Sequence, residues 1–226
     1  MRLRHVLAMA ATLIASPFAP AGAQETGSLI PRGSPAQIRG TAPADVRRTF
    51  MEFGACVIRR SPSRADRLTR MAITDPQFRP QMERLANDEC LSTGLMRMHV
   101  THLRGALFEA IYARNYSALG RVDFNALASP DYGAGYSDPL PQEVINVIAL
   151  ARFGECVARR DGINAVHLLN SGPGTSMEDT LVRNLTPSFS GCIPQGETIR
   201  LSRMIVRFAI AEGVVRMLRD DPAGGN

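Results

Sequence analysis

Two arginine and glutamate pairs recur along the chain with the same internal spacing. Arg104 precedes Glu109 by five positions, and Arg207 precedes Glu212 by five. Side chains that meet on one face of a helix are three or four positions apart, so neither pair can form an ordinary intrahelical contact. We therefore expect each residue to find its partner on another element.

Such partners would form one of two kinds of site. In the first, the charges build a buried or half-buried ion network that fixes the register of the helices. In the second, arginines from both parts of the chain converge to hold an anion, since the guanidinium group binds carboxylate and phosphate through two parallel hydrogen bonds. The candidate residues for either role are Arg59, Arg104, Glu109, Arg159, Arg207 and Glu212.

The histidines indicate chemistry less clearly. His99 and His102 could ligate a metal if a third ligand came from elsewhere, but they have no histidine counterparts later in the chain, and ordinary surface histidines are the simpler interpretation. His167 could act with Glu155 and Asp161 in acid and base catalysis, although nothing in the sequence places the three in one cleft. No phosphate-binding loop, nucleophile elbow or zinc-protease motif is present. We predict no catalytic residue, no metal and no cofactor.

The segments that must position these residues occur twice. FGACVIRR at 53–60 returns as FGECVARR at 153–160, and CLSTG at 90–94 returns as CIPQG at 192–196. LRGALFEAIY at 103–112 then aligns with VRFAIAEGVV at 206–215, with Phe208 in the place of Gly105. Because the offset grows only from 100 to 103 residues, the sequence predicts a tandem duplication with small length changes at turns.

Apolar residues follow a helical period throughout, so we predict an all-α fold in which each copy is a four-helix unit. The first helix of the first copy carries Val46, Phe50, Phe53 and Val57 on one stripe, and the third helix of the second copy turns Met177 inward. The fourth helix of each copy carries apolar side chains around most of its circumference. We expect these two helices to pack at the centre, about a pseudo-twofold axis.

Two glycines sit inside the predicted first helices. Gly54 and Gly154 each cost a helix up to about 1 kcal/mol relative to alanine. Close packing of another helix is the simpler compensation, and backbone exposed to a ligand is the alternative.

The four cysteines predict two disulfides, because the chain contains no CxxC motif or Cys/His cluster and begins with an export signal. Each copy holds two of them, so the simplest pairing joins Cys56 to Cys90 and Cys156 to Cys192. A symmetric exchange between the copies is the alternative.

The N-terminus is typical of a cleaved secretory signal peptide. Arg2 and Arg4 precede an apolar run over 6–15, and the Ala-x-Ala site predicts cleavage between Ala23 and Gln24. The predicted divisions are a signal peptide at 1–23, a disordered segment at 24–40, the first repeat at 41–116, a linker loop at 117–140, the second repeat at 141–219 and a disordered tail at 220–226.

The charge pattern argues against two classes of partner. All 26 basic residues are arginine, and acidic residues are interleaved with them along most helices. Nucleic-acid binders instead gather basic residues on one face and offer aromatic rings to bases, whereas this chain has no tryptophan. We predict no nucleic-acid binding and no stable membrane insertion once the signal peptide is removed.

The repeated skeleton of FGxCVxRR, CxxxG and an LRGAxxEAxY-like helix resembles a group of exported bacterial proteins of unknown function. The resemblance covers most of residues 44–218 and implies export and duplication, but no activity. We expect a secreted or periplasmic, non-enzymatic helical module that binds another envelope component. The alternative is an enzyme or an anion carrier with its site at the seam between the copies.

Overall fold

The structure is a computed structural model that describes residues 44–85, 90, 99–194 and 201–220. Within these residues the chain contains helices and no strand, which confirms the predicted all-α class. The predicted signal peptide, its cleavage site at Ala23 and Gln24, the segment at 24–40 and the tail beyond residue 220 lie outside the described residues. The helices are α1 (Ala44–Arg60), α2 (Pro62–Arg70), α3 (Phe78–Leu85), α4 (Val100–Asn115), α5 (Gln142–Arg160), α6 (Gly162–Asn170), α7 (Ser176–Gly191) and α8 (Arg203–Asp220).

Helices α4 and α8 form the centre of the fold. Residues 103–112 of α4 and residues 206–215 of α8 are buried without interruption, so these helices are covered on all sides. α1 packs against α4, α4 against α8, and α8 against α5. No described helix combines the length and the apolar character that crossing a membrane requires.

Glycines allow the helices to approach closely at these contacts. A methyl group on Gly54 would collide with the carbonyl of Ala106, and one on Gly154 would collide with the carbonyl of Ala209. Gly105 lies under the ring of Phe208, which fills the space that a side chain at 105 would need. Helix packing is therefore the reason that these positions lack a side chain.

Both predicted disulfides are present. Cys56 of α1 is bonded to Cys90, with 5.6 Å between their Cα atoms, and Cys156 of α5 is bonded to Cys192, with 5.7 Å. Each bond fastens a long helix to the segment that follows the next two helices, and the crosswise alternative is excluded.

Two predicted inward-facing residues are exposed. Val46 is 41% and Met177 is 59% exposed, so their assignment to the buried stripes is wrong. Their chain neighbours Arg47 and Glu178 are buried instead, and the Arg47 Nη2 atom lies 3.1 Å from Glu178 Oε2. The two charges neutralise each other, so the first turns of α1 and α7 can bury this ion pair. Val46 and Met177 then remain on the solvent side.

The loop at 117–140 is attached to the helices on both sides. Tyr132 is buried and packs with Val144 and Ile148 of α5. The hydroxyl of Tyr136 accepts a hydrogen bond of 3.2 Å from the backbone N–H of Ile73, in the turn after α2. The loop thus links the turn after α2 to α5.

Candidate functional site

The arginine and glutamate pairs meet across the contact between α4 and α8. Arg104 of α4 donates to Glu212 of α8 through Nη2 at 2.9 Å and Nε at 3.3 Å. Arg207 of α8 donates to Glu109 of α4 from both Nε, at 2.8 Å, and Nη2. Each arginine therefore pairs with the glutamate of the opposite helix, in agreement with the expectation that its partner lies on another element.

The same arginines also bind the ends of short helices. Arg104 Nη2 donates to the carbonyl of Thr69 in α2 at 3.2 Å. Arg207 donates to the carbonyl of Leu168 at 2.7 Å and to that of Ser171 at 3.1 Å, at the end of α6. Carbonyls at a helix C-terminus lack intrahelical partners and carry partial negative charge, so a buried guanidinium group satisfies and stabilises them.

A further ion pair extends this network to α1 and α7. Glu178 Oε1 lies 3.7 Å from Arg207 Nη1, while the other oxygen of Glu178 binds Arg47. Arg207, Glu109 and Glu178 are at most 2% exposed. Burial raises the pKa of Glu109, an effect that Arg207 opposes and Glu178 reinforces. The guanidinium groups of Arg104 and Arg207 thus already face carboxylates and carbonyls of the chain itself.

The remaining two candidate arginines lie elsewhere. Arg59 is exposed on α1. Arg159 of α5 pairs with Glu155 at 2.8 Å and donates to the carbonyls of Phe124 and Leu127 in the 117–140 loop. Among the six candidates, the structure brings together Arg104, Glu109, Arg207 and Glu212, whereas Arg159 fastens the loop.

The histidine candidates do not assemble into a site. His99 caps α4 by accepting from the N–H of Thr101, and the ring of His102 packs 5.6 Å from that of Phe50. Burial, with a smaller contribution from His99, lowers the pKa of His102. Within the described part of the chain, no three His, Cys, Asp or Glu residues are grouped so as to hold a metal.

Hydrogen bonds likewise divide His167, Glu155 and Asp161, the three residues that the sequence offered for acid and base catalysis but did not place in one cleft. Glu155 accepts from Ser129 at 2.6 Å and pairs with Arg159. Asp161 caps α6 by accepting from the backbone N–H of Asn164 at 3.1 Å. His167 is exposed on α6. Both carboxylates therefore have structural partners.

Sequence reasoning missed a groove between the 117–140 loop and α6. It encloses about 370 Å³, and two of the most exposed large apolar residues, Leu119 at 44% and Ile163 at 51%, line it. A second hollow of about 530 Å³ shares Arg121, Val122, Gly162 and Ile163 with the first and extends to the end of α5. The other residues of the first hollow are Gly120, Val166, His167 and Asn170.

The groove has an apolar centre and a polar margin. The apolar surface is formed by Leu119, Val122, Ile163 and Val166. Arg121 lines both hollows and lies where they join. In the sequence, this groove is indicated only by Ile163, which directly follows Gly162 at the start of α6. A position that only faces solvent does not need an apolar side chain there.

No protein-family model, curated protein or solved structure matches this chain.

Proposed function

We propose that the protein is an exported, non-enzymatic binding module that docks another envelope component in the groove between the 117–140 loop and α6. The main support for this proposal is that Leu119 and Ile163 expose apolar surface inside a concave hollow. Exposed apolar surface in a hollow loses water when a partner side chain enters, which is the principal source of binding energy at interface centres.

The groove also suggests the chemistry of its occupant. Arg121 lines both hollows and, within the described residues, has no ion pair. An apolar side chain next to a carboxylate would fill the hollow and meet Arg121 at the same time. We therefore assign the groove to a segment of an exported protein that presents an apolar residue beside an acidic one.

The alternative, an enzyme or anion carrier with its site at the seam, has weaker support. The seam charges that could bind an anion, Arg104 and Arg207, each hold a glutamate and helix carbonyls. An anion that entered would have to displace one of these carboxylates. The geometry therefore favours the ion-network role for Arg104, Glu109, Arg207 and Glu212.

The groove assignment is tested with a matched pair of charge substitutions. Ile163→Asp places a charge in the hollow, whereas Ile145→Asp places one on α5 at an isoleucine of similar exposure, 43% against 51% for Ile163. Mature wild-type protein and both variants are immobilised and exposed to envelope extract, and bound proteins are quantified by mass spectrometry. We expect one component to be retained by the wild type and by Ile145→Asp and depleted at least tenfold on Ile163→Asp.

A photo-crosslinking amino acid at position 163 then identifies which segment of that component enters the groove. Crosslinks to an apolar residue next to Asp or Glu are expected. Equal retention of every component by the two aspartate variants would contradict the proposal.

We further infer that the chain is a tandem duplication whose halves, residues 41–116 and 141–219, are related by a pseudo-twofold axis through the α4 and α8 contact. Supporting observations are the equivalent disulfides, the equivalent glycine contacts and the reciprocal pairs Arg104–Glu212 and Arg207–Glu109. The resemblance to duplicated exported proteins agrees with this arrangement.

Equivalent substitutions test the duplication. Gly54→Ala and Gly154→Ala should both lower the free energy of unfolding by about 1 to 3 kcal/mol, because each added methyl meets a carbonyl of the partner helix. Gly120→Ala is the control, since its added methyl meets nothing within 4 Å, and its effect should stay within about 0.5 kcal/mol. A large effect in one half alone would argue against equivalence.

Export is the remaining part of the proposal. Two disulfides are typical of an oxidising compartment such as the periplasm or the extracellular space. N-terminal sequencing of protein isolated from a bacterial periplasm should begin at Gln24. A start at Met1 would contradict cleavage after Ala23.

A further inference from the structure

The wall of the groove opposite α6 is a stretch of backbone whose polar groups have no partner. Residues 120–122 belong to neither a helix nor a turn. Among the described residues, no group forms a hydrogen bond with the backbone N–H or the carbonyl of Gly120, Arg121 or Val122. Since every such residue carries one donor and one acceptor on its main chain, this wall offers a row of free donors and acceptors.

Open space lies beside this backbone. Gly120 and Arg121 are exposed, and Val122 is half-buried. A Cβ added to Gly120 would meet no atom within 4 Å. Because Gly120 carries no side chain, the backbone of another molecule can approach it closely. The free groups therefore border the same hollow as the apolar side chain of Ile163.

The segment is held at both ends. At one end, the N–H of Leu119 donates to the carbonyl of Tyr116, directly after α4, at 3.0 Å. At the other end, the buried ring of Phe124 lies against Gly162, where an added Cβ would be 2.7 Å from it, and Arg159 donates to the carbonyl of Phe124. A segment fixed in this way loses little conformational freedom when a partner binds.

We propose that the partner enters the groove as an extended strand that pairs with the backbone of residues 120–122, an inference that rests on the proposed docking function of the groove. A peptide that adds to a free strand gains main-chain hydrogen bonds, and its alternate side chains enter pockets. Here an apolar side chain enters the hollow beside Ile163 and Val166. Its acidic neighbour points to the opposite face of the peptide, where the exposed side chain of Arg121 can pair with it.

A helical partner would use the groove less completely. The backbone groups inside a helix bond to one another, so a helix could bury apolar side chains in the hollow but could not supply partners for residues 120–122. Burial of backbone N–H and carbonyl groups without partners is unfavourable. An extended partner fills the hollow and bonds to these groups at the same time, so the geometry favours the strand.

A phage-displayed library of random peptides supplies the probe. The library is selected on immobilised mature wild-type protein, and every peptide that binds Ile163→Asp equally well is discarded. The remaining peptides depend on the groove. We expect them to share an apolar residue beside Asp or Glu, and they are synthesised for the two measurements that follow.

Methylation of single backbone nitrogens in a selected peptide tests for strand pairing. In a pair of strands, the N–H groups of every second residue point towards the other strand. Methylation of one of these should weaken binding to the protein by about tenfold, because a main-chain hydrogen bond is lost. Methylation of the residues between them should leave the Kd nearly unchanged. Docking through side chains alone does not produce this period of two.

Amide exchange of the protein, followed by NMR, is the second measurement. In the free protein the amides of residues 120–122 are not hydrogen-bonded to the described chain and should exchange rapidly. A saturating peptide should slow the exchange of at least one of them by about tenfold or more. Ala128 is the matched control, because it is exposed in the same loop and lines neither hollow. Its exchange rate should not change.

The possible outcomes separate this inference from the proposed function. If no selected peptide distinguishes the wild type from Ile163→Asp, the groove is not a docking site and both proposals are wrong. If the peptides require Ile163 but show no period of two on methylation, and residues 120–122 exchange as before, the groove remains a docking site and strand pairing is wrong. A helical circular dichroism spectrum of the bound peptide would overturn strand pairing in the same way.

Discussion

Replacing Arg207 by methionine tests whether the reciprocal ion pairs hold the two halves together. Arg207 is 1% exposed, and its guanidinium group binds Glu109 together with the carbonyls of Leu168 and Ser171. Methionine retains most of the apolar stem and removes only the charge and the donors. The substitution leaves Glu109 buried with an uncompensated charge and leaves the end of α6 without its donor.

Loss of one partner from a buried pair costs about 3 to 5 kcal/mol. For a chain of this size, each kcal/mol lowers Tm by roughly 2 to 4 °C, so the expected decrease is about 6 to 20 °C. Arg70→Met is the matched control. Its partner Asp66 lies on the same helix at 3.0 Å, and the two side chains are 54% and 42% exposed. Pairs of that kind contribute at most about 1 kcal/mol.

Thermal unfolding of the oxidised protein, followed by circular dichroism, measures the decrease in Tm, and urea unfolding measures the free energies that the double variant compares. The double variant Arg207→Met/Glu109→Leu removes both charges and should be more stable than the sum of the two single losses predicts, with a coupling of roughly 0.5 to 3 kcal/mol. A loss below 1 kcal/mol for Arg207→Met, or strict additivity in the double variant, would refute the assignment of this pair as the link between the halves.

Three further predictions concern packing, crosslinks and pH. Gly105→Ala should cost about 1 to 3 kcal/mol in thermal unfolding, because the added methyl meets the ring of Phe208, and Phe208→Ala in the same chain should recover part of that loss. Replacing Cys56 or Cys156 together with its partner by serine opens a loop closed over 34 or 36 residues and should cost roughly 3 to 4 kcal/mol in urea unfolding. Burial lowers the pKa of His102 in the folded state, so the folded protein binds fewer protons than the unfolded chain and loses stability as pH falls below about 6.5. His102→Gln should flatten this dependence, and an unchanged slope would contradict the assignment.

The sequence was sufficient to predict the parts of the fold that depend on periodicity. Phe50, Phe53 and Val57 recur at helical spacing and are buried, and the cysteine arrangement predicted both disulfides. The five-residue separation of arginine and glutamate predicted partners on other helices, because that spacing excludes an ordinary intrahelical pair. The spacing alone left open whether those partners would come from the chain or from a bound anion.

Other features depend on contacts between distant segments and have no local signature. Val46 and Met177 fit the apolar stripes, but Arg47 and Glu178 are buried in their place because they neutralise each other across 131 positions of sequence. The groove at Ile163 exists only because the 117–140 loop folds back over α6.

The contact between Phe208 and Gly105 has a consequence if the chain is the tandem duplication proposed above. Two separate identical chains related by a twofold axis must present the same residue at the axis, so a large ring would face another large ring and glycine would face glycine. In a single chain, one unit can carry a large residue, Phe208, where the other carries Gly105. The ring of Phe208 then fills the space beside the glycine. The interface is then matched in shape at any protein concentration, and pairing either unit with a second copy of itself would break that match, because glycine would face glycine or one ring would face another.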